Sequence, residues 1–190
     1  MSRHNVQPVR MKLSHLQRST RTLEERLALR FPWFVDLWAR MIALLPPKSR
    51  LRRALLTRTW QNGLAAYDRG DIDAILLAFH PDAEFQAPPD HGQEGILGFR
   101  SSYRGHHGYR EFNADWRSSW EALRVEPQEL IDLGDRLLLL ARMTGLGRGS
   151  GVSISQNVAI LQTLNGAGKI IREQRFFNHS EALKAVGLAE

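Results

Sequence analysis

Few side chains in this chain could carry chemistry, and the strongest candidates are one carboxylate and two guanidiniums. Glu173 and Arg175 stand two residues apart in KIIREQRFFN, and Arg142 lies in the run QELIDLGDRLLLLARMTGLG. A partly buried carboxylate beside a guanidinium can orient water or abstract a proton, while the cation stabilises a developing oxyanion. The same cations favour the charged carboxylate and so weaken it as a base. Paired Glu and Arg on adjacent strands are equally a structural network that closes one end of a sheet or faces solvent, and both readings stand.

The other polar candidates read as structural. His106 and His107 are adjacent, so they point in different directions, and a turn or helix-start role for Gly105-His106-His107-Gly108 is expected, with His107 able to overhang a pocket. His80-Pro81-Asp82 reads as a surface turn. Ser150 and Ser153 lie in GRGSGVSIS, which imitates a phosphate loop but lacks its Gly-Lys-Ser/Thr ending and its strand-loop-helix setting. The chain has no cysteine, which excludes disulfides, thiolate ligands and cysteine nucleophiles. No metal and no cofactor is expected.

The segment from Trp60 to Leu188 supplies the elements that must position these groups. In WQNGLAAYDRGDIDAILLAFHPDAEF, the residues Leu64, Tyr67, Ile72, Ile75, Leu76 and Phe79 recur at helical spacing around a Gly70-Asp71 break, predicting two helices joined by a tight turn. YRGHHGYREFNADWRSSWEAL places Tyr109, Phe112, Trp116, Trp120 and Leu123 three or four residues apart, predicting a third, amphipathic helix. After Pro127 come strand-like runs separated by glycine-bearing turns, with a hairpin signal at Leu164–Lys169. Helices followed by a meander of long strands imply an α+β domain in which a curved antiparallel sheet wraps three helices. Tyr67, Phe79, Phe85, Phe112, Trp116 and Trp120 would give its interior an apolar wall suited to a flat hydrophobic ligand, although an aromatic stripe is also ordinary packing. The loop APPDHGQEGILGFRSSYRG is long enough to act as a lid, with His91 as its only neutral-pH base.

The ordered set LAAYDRGDIDAILLAFHPDAEF, YRGHHGYREF, VEPQELIDLGDRLLLLARMTGLGRGSG and LNGAGKIIREQRFFNHSEALKAVGL resembles the nuclear-transport-factor-2-like (NTF2-like) superfamily, and within it the SnoaL-like polyketide cyclase group. The resemblance implies an NTF2-like cone, often dimerising through the open face of its sheet. That superfamily hosts isomerases, dehydratases, cyclases, epoxide hydrolases and non-enzymatic binding proteins, so the fold does not choose among them.

Alignment with the resembling ketosteroid isomerases places their tyrosine donor and two carboxyl residues at Gly63, Ala87 and Ile160, so all three groups are absent. The acid-base aspartate of the cyclase group also falls at Ile160, which can neither take nor give a proton. With Ile160 facing the pocket, strand alternation sends Gln156, Val158, Gln162 and Leu164 the same way. Register carried from the same alignment turns Leu138, Leu140, Arg142 and Thr144 inward on the preceding strand, and Glu173, Arg175 and Phe177 inward on the following one. The implied site has Glu173, Arg142 and Arg175 as catalytic candidates. Tyr67, Phe79, Phe85, Phe112, Trp116, Gln156, Ile160, Gln162 and Phe177 are its ligand-binding candidates. A one-residue slip would reverse each strand assignment.

The remainder, residues 1–58, forms a basic, partly helical extension to the domain at 59–190. Residues 1–60 carry 13 Lys+Arg against 3 Asp+Glu, while residues 61–190 carry 13 against 17, so the basic character belongs to the extension. Its first 20 or so residues show little periodicity and are expected to be loosely ordered. Thr22 and Glu25 have capping-box spacing, Pro32 suits a helix start, Pro46-Pro47 a helix end, and Ser49 the cap of a third helix running toward the pocket domain. Trp33, Phe34, Leu37, Trp38, Met41, Ile42 and Leu45 with basic flanks fit either docking on the domain or its dimer mate, or lying in an anionic membrane interface through residues 22–58. Nucleic acid is disfavoured because the pocket domain is acidic and no recognition motif occurs. No signal-peptide core and no spanning run is present, so a cytoplasmic location is expected, peripheral to a membrane if the extension docks there. Two functions follow: a pocket for a small, largely apolar carbonyl or polycyclic molecule, with isomerase, cyclase or dehydratase chemistry in reach, or a non-catalytic ligand-binding or interaction module.

Overall fold

The computed structural model describes residues 7–86, 100–118, 120–148 and 151–188. Most of the lid segment, including Ala87 and His91, and also Ser150, lie outside these residues. The elements are β1 (Val9–Lys12), α1 (Leu23–Arg30), α2 (Pro32–Leu44), α3 (Arg50–Arg69), α4 (Ile72–Leu76), β2 (Phe79–Gln86), β3 (Ser102–Arg104), α5 (Gly105–Ser118), β4 (Arg124–Asp132), β5 (Arg136–Leu146), β6 (Ser153–Leu164), β7 (Ile170–Phe176) and α6 (His179–Ala185). They form a mixed α+β fold with a curved, unclosed sheet in the order β1-β4-β5-β6-β7-β2-β3. No helix among the described residues is long and apolar enough to cross a membrane.

Local chemistry explains the helix boundaries. Ser49 caps α3, and Gly70 ends it at φ +71°, a left-handed conformation that glycine adopts without cost. Asp71 caps α4 by accepting the Ala74 N–H at 3.3 Å and is gripped by Arg21 Nε and Nη2 at 2.6 and 2.7 Å. The Arg21 hydrogen bond holds the Asp71 carboxyl below the usual carboxylate range, against the opposing effect of partial burial. A depressed carboxyl stabilises the fold above its ordinary value and loses that contribution as pH falls through the lowered one. Asp71→Asn should therefore lower the urea midpoint near neutral pH, and its deficit should shrink as pH falls below about 4.

The expected meander β4-β5-β6-β7 is antiparallel throughout, and the sheet departs from an all-antiparallel one only where the earlier β2 runs parallel to β7. Pro127, expected just before the first long strand, lies inside β4 at a register shift, where a residue without an N–H does least harm. The β6–β7 turn is held by Asn165, whose Oδ1 accepts the Ala167 and Lys169 N–H groups at 2.9 and 3.0 Å. On the concave face Leu137, Leu139, Ala141 and Met143 join α3 and α5 in the main core. On the convex face Leu138, Leu140, Ala159 and Leu161 are covered by α6, started by an Asn178 cap that accepts the Glu181 N–H at 2.8 Å. Both faces of β5 are therefore buried over most of its length.

The extension is integrated into the fold. Within the first 20 residues, expected to be loose, Val9–Lys12 form β1, which pairs with β4 from Val9↔Asp132 to Lys12↔Glu129. α1 carries the Thr22–Glu25 capping box, and Glu25 also accepts from Arg69 of α3 at 2.8 Å. α3, capped by Ser49, runs unbroken from Arg50 to Arg69, the expected third helix running toward the pocket domain.

Two devices hold α2 against the cone. Arg52, 2% exposed, donates to Asp132 through Nε and Nη2 (2.7 and 3.0 Å), to the Ile42 and Leu45 carbonyls through Nη1 (2.8 and 3.1 Å), and to the Gly134 carbonyl (2.6 Å). It thus satisfies terminal carbonyls of α2 while tying them to the β4–β5 turn. At the other side of the cone Lys169 Nζ reaches Asp36 and the Leu77 carbonyl, both at 2.6 Å. Beside it Gly168 (φ +77°) lies so close to α2 that an added Cβ would fall 2.4 Å from the Ala39 carbonyl oxygen.

Candidate functional site

Strands β6 and β7 build the polar part of the site. Alternation puts Glu173 and Arg175 on one face of β7, and the register sets Gln162 opposite Glu173 and Ile160 opposite Arg175. Glu173 Oε1 accepts from Arg175 Nε and Nη2 at 3.1 and 3.0 Å, while Oε2 accepts from Gln162 Nε2 at 2.9 Å. Glu173 is only 3% exposed, so these donors are what makes its burial tolerable. The Arg175 guanidinium carbon lies 4.4 Å from the centre of the Phe112 ring, a cation–π contact.

Two tyrosines feel this charge pair. Burial raises the Tyr67 hydroxyl above its ordinary value, although Arg175, Arg117 and a hydrogen bond with Trp116 pull the other way. Burial also pushes Tyr109 well up, and the Glu173 charge adds to the effect. Both are thus neutral phenols near pH 7, able to donate a hydrogen bond. Burial works against the Arg175 cation, but the Glu173 carboxylate outweighs it and holds the guanidinium above the usual arginine value.

These groups lie in the wall of a cavity of about 430 Å³, within the range of small-molecule sites. Of the ligand-binding candidates Tyr67, Phe79, Trp116, Ile160, Gln162 and Phe177 line it, together with Glu173 and Arg175. Phe85 and Phe112 do not: Phe85 packs behind Phe79 and Tyr109 at ring separations of 5.1 and 4.6 Å, and Phe112 lies under Arg175. Gln156 also stands apart, opposite Met143 toward the outer end of β6 and partly exposed.

Arg142 is corrected outright. It is exposed on the convex side, where its Nε donates to Ser155 Oγ at 2.9 Å. The register Leu139↔Ile160 and Leu137↔Gln162 turns Leu137, Leu139, Ala141 and Met143 inward, one residue out of step with the expected set Leu138, Leu140, Arg142 and Thr144. Trp120 also leaves its expected helix: α5 ends at Ser118, and Trp120 bridges to Gly147.

Three contributions lie beyond the expected ligand-binding candidates. Tyr109 lines the cavity beside Glu173, although its place on the aromatic stripe was legible. Trp60 and Gly63 of α3 line it too, and a Cβ at Gly63 would meet no atom within 4 Å. Above all, α2 docks on the domain through Trp38 and Ile42, one of the expected alternatives, and closes the cone with Val35, Trp38, Ala39 and Ile42, whose spacing of three, one and three residues marks one helical face. His107 is exposed and 3.4 Å from Glu111, and the described residues contain no group of three or more metal-ligating His, Asp or Glu side chains.

A SnoaL-like domain model matches residues 60–173. TerC, crystallised with polyporic acid, is similar at 24% identity and TM-score 0.55 over 69% of this chain and 95% of TerC. An NTF2-like protein from Burkholderia pseudomallei gives 20% identity and TM-score 0.56 over 67% of this chain and 93% of its own. A SnoaL-like polyketide cyclase, so described, from Jannaschia sp. CCS1 gives 23% identity and TM-score 0.52 over 70% and 87%. No curated protein matches the chain. The three structures, one of them an NTF2-like protein, share the fold, and the domain match covers more than half of the sequence: the chain belongs to the SnoaL-like domain family.

Proposed function

We propose that this chain is a small-molecule pocket protein of the SnoaL-like type, which takes a largely apolar carbonyl or polycyclic compound into the cavity between the cone and α2. The observation that carries this reading is the make-up of the cavity, where the buried polar group Gln162–Glu173–Arg175 sits among Tyr67, Trp116, Ile160 and Phe177. A flat ligand gains by burying its faces against these rings, and the phenolic Tyr67 and Tyr109 can donate to a carbonyl oxygen. Isomerase, cyclase or dehydratase chemistry would use Glu173 as the base, but both of its oxygens already accept hydrogen bonds. Binding is therefore put first, and turnover is the step that Glu173→Gln tests.

Trp38, Trp60 and Trp116 all line the cavity, so tryptophan fluorescence reads occupancy directly. Polyporic acid, the compound in the TerC crystals, heads a panel of polycyclic ketones. Saturable quenching is expected, and Gly63→Leu, which fills space now empty, should weaken it by about tenfold or more, a loss of about 1.4 kcal/mol. Gly63→Ala should bind nearly as well and gain about 0.5–1 kcal/mol of stability from better helix propensity. Quenching unaffected by Gly63→Leu, or absent across the panel, would sink the assignment. Substrate conversion by the wild type that Glu173→Gln abolishes without loss of binding would make the chain an enzyme.

A further inference from the structure

Of the eleven large apolar side chains exposed among the described residues, nine fall between Leu23 and Leu51, so the uncovered apolar surface is concentrated on α1, α2 and the start of α3. α2 is apolar on both sides. Val35, Trp38, Ala39 and Ile42 close the cavity, whereas Trp33, Leu37 and Leu44 project outward at 62%, 57% and 85% exposure. The convex face of the sheet, by contrast, carries α6.

The surroundings of this face are cationic. Arg26, Arg30, Arg40, Lys48 and Arg50 are exposed around it, and none of them forms an ion pair among the described residues. The nearby carboxylates are neutralised, Glu24 by Arg58 and Asp36 by Lys169. A two-fold contact with a second copy would set this arginine field against itself, which is unfavourable. An apolar ridge with an aromatic at its leading end and long basic side chains along its flanks matches the boundary between headgroups and acyl chains.

We propose that the outer face of α1 and α2 docks on a bilayer containing anionic phospholipid. The cavity opens on the same side: its lining includes the half-exposed Phe34 and the exposed Glu24–Arg58 pair. A docked molecule thus turns its opening toward the lipid, from which an apolar compound could enter without crossing water. The docking surface itself is independent of what the cavity holds.

The test is co-sedimentation of the full chain with vesicles of phosphatidylcholine alone and of phosphatidylcholine with phosphatidylglycerol. Binding is expected to the anionic vesicles and to fall steeply with added salt, since each basic residue at the surface contributes a factor of about five. Trp33→Ser/Leu37→Ser/Leu44→Ser should weaken binding by about tenfold or more, because it removes the inserting side chains. The three residues project into solvent, so circular dichroism and the polyporic acid titration should be unchanged, which separates this result from failure of the cavity assignment. Arg26→Gln/Arg30→Gln/Arg40→Gln/Arg50→Gln should abolish the preference for phosphatidylglycerol. Equal binding to both vesicle types, no binding to either, or a dimer that the triple serine variant dissociates would overturn the proposal, the last by identifying a second copy as the occupant.

Discussion

Arg52→Met is expected to destabilise the protein by about 3–5 kcal/mol, because it leaves a buried charge without its partner. Asp132 is 0% exposed, and two of its hydrogen bonds come from Arg52. The substitution also strips hydrogen bonds from the carbonyls of Ile42, Leu45 and Gly134. Urea unfolding of the purified variant measures the loss. Arg52→Met combined with Asp132→Leu should recover a large part of it, since an apolar pair can replace a buried ion pair at little cost. A double variant as unstable as the single one would place the loss in the orphaned carbonyls.

Gly168→Ala is the second large effect, and it reaches the cavity. An L-residue at φ +77° carries strain of about 1–2 kcal/mol. Its methyl would also lie 2.4 Å from the Ala39 carbonyl oxygen and 2.7 Å from its carbon, a clash with backbone that cannot rotate away. Overpacking of this kind costs about 1–3 kcal/mol, so the total expected is about 2–5 kcal/mol. Relief requires α2 to move off the β6–β7 turn, which strains the Lys169–Asp36 contact and opens the cavity at Ala39. The same variant should therefore weaken cavity binding by about tenfold or more, read by tryptophan quenching. Destabilisation with unchanged affinity would show that α2 yields without uncovering the ligand.

The helices were legible because their signals are local. Thr22 and Glu25, Pro32, Ser49, and the Gly70-Asp71 break each act within one turn of the residue that reads them. The β6–β7 hairpin was legible for the same reason, but a register shift between Thr163 and Leu164 lies between its turn and the site, and it is this shift that sets Gln162 opposite Glu173 instead of Arg172. β5 failed where its information is absent: Leu137, Leu138, Leu139 and Leu140 are all apolar because the core covers one face and α6 the other, so no alternation marks the register. Arg142 was misplaced by that one-residue ambiguity. Arg52 was invisible for another reason. It sits in RLRRALL beside Arg50 and Arg53, and nothing local distinguishes the arginine that turns inward to Asp132. Docking of α2 on the domain was among the readings its composition offered, but which side docks was hidden because its solvent side is as apolar as its buried side, leaving no polar face to orient it.

The rims of the sheet bear on how copies of this chain behave when crowded together. Among the described residues the outermost strands are β1, four residues long, and β3, three residues long, and they carry Arg10, Lys12 and Arg104. Short, charged outer strands offer another chain little backbone to template on, so fibril-like stacking is discouraged at either rim. Without β1, the nine-residue β4 would become the rim and present an open ladder of amides. The segment 9–12 thus acts as a built-in chaperone for β4, and a chain lacking residues 1–12 should aggregate where the full chain stays dispersed.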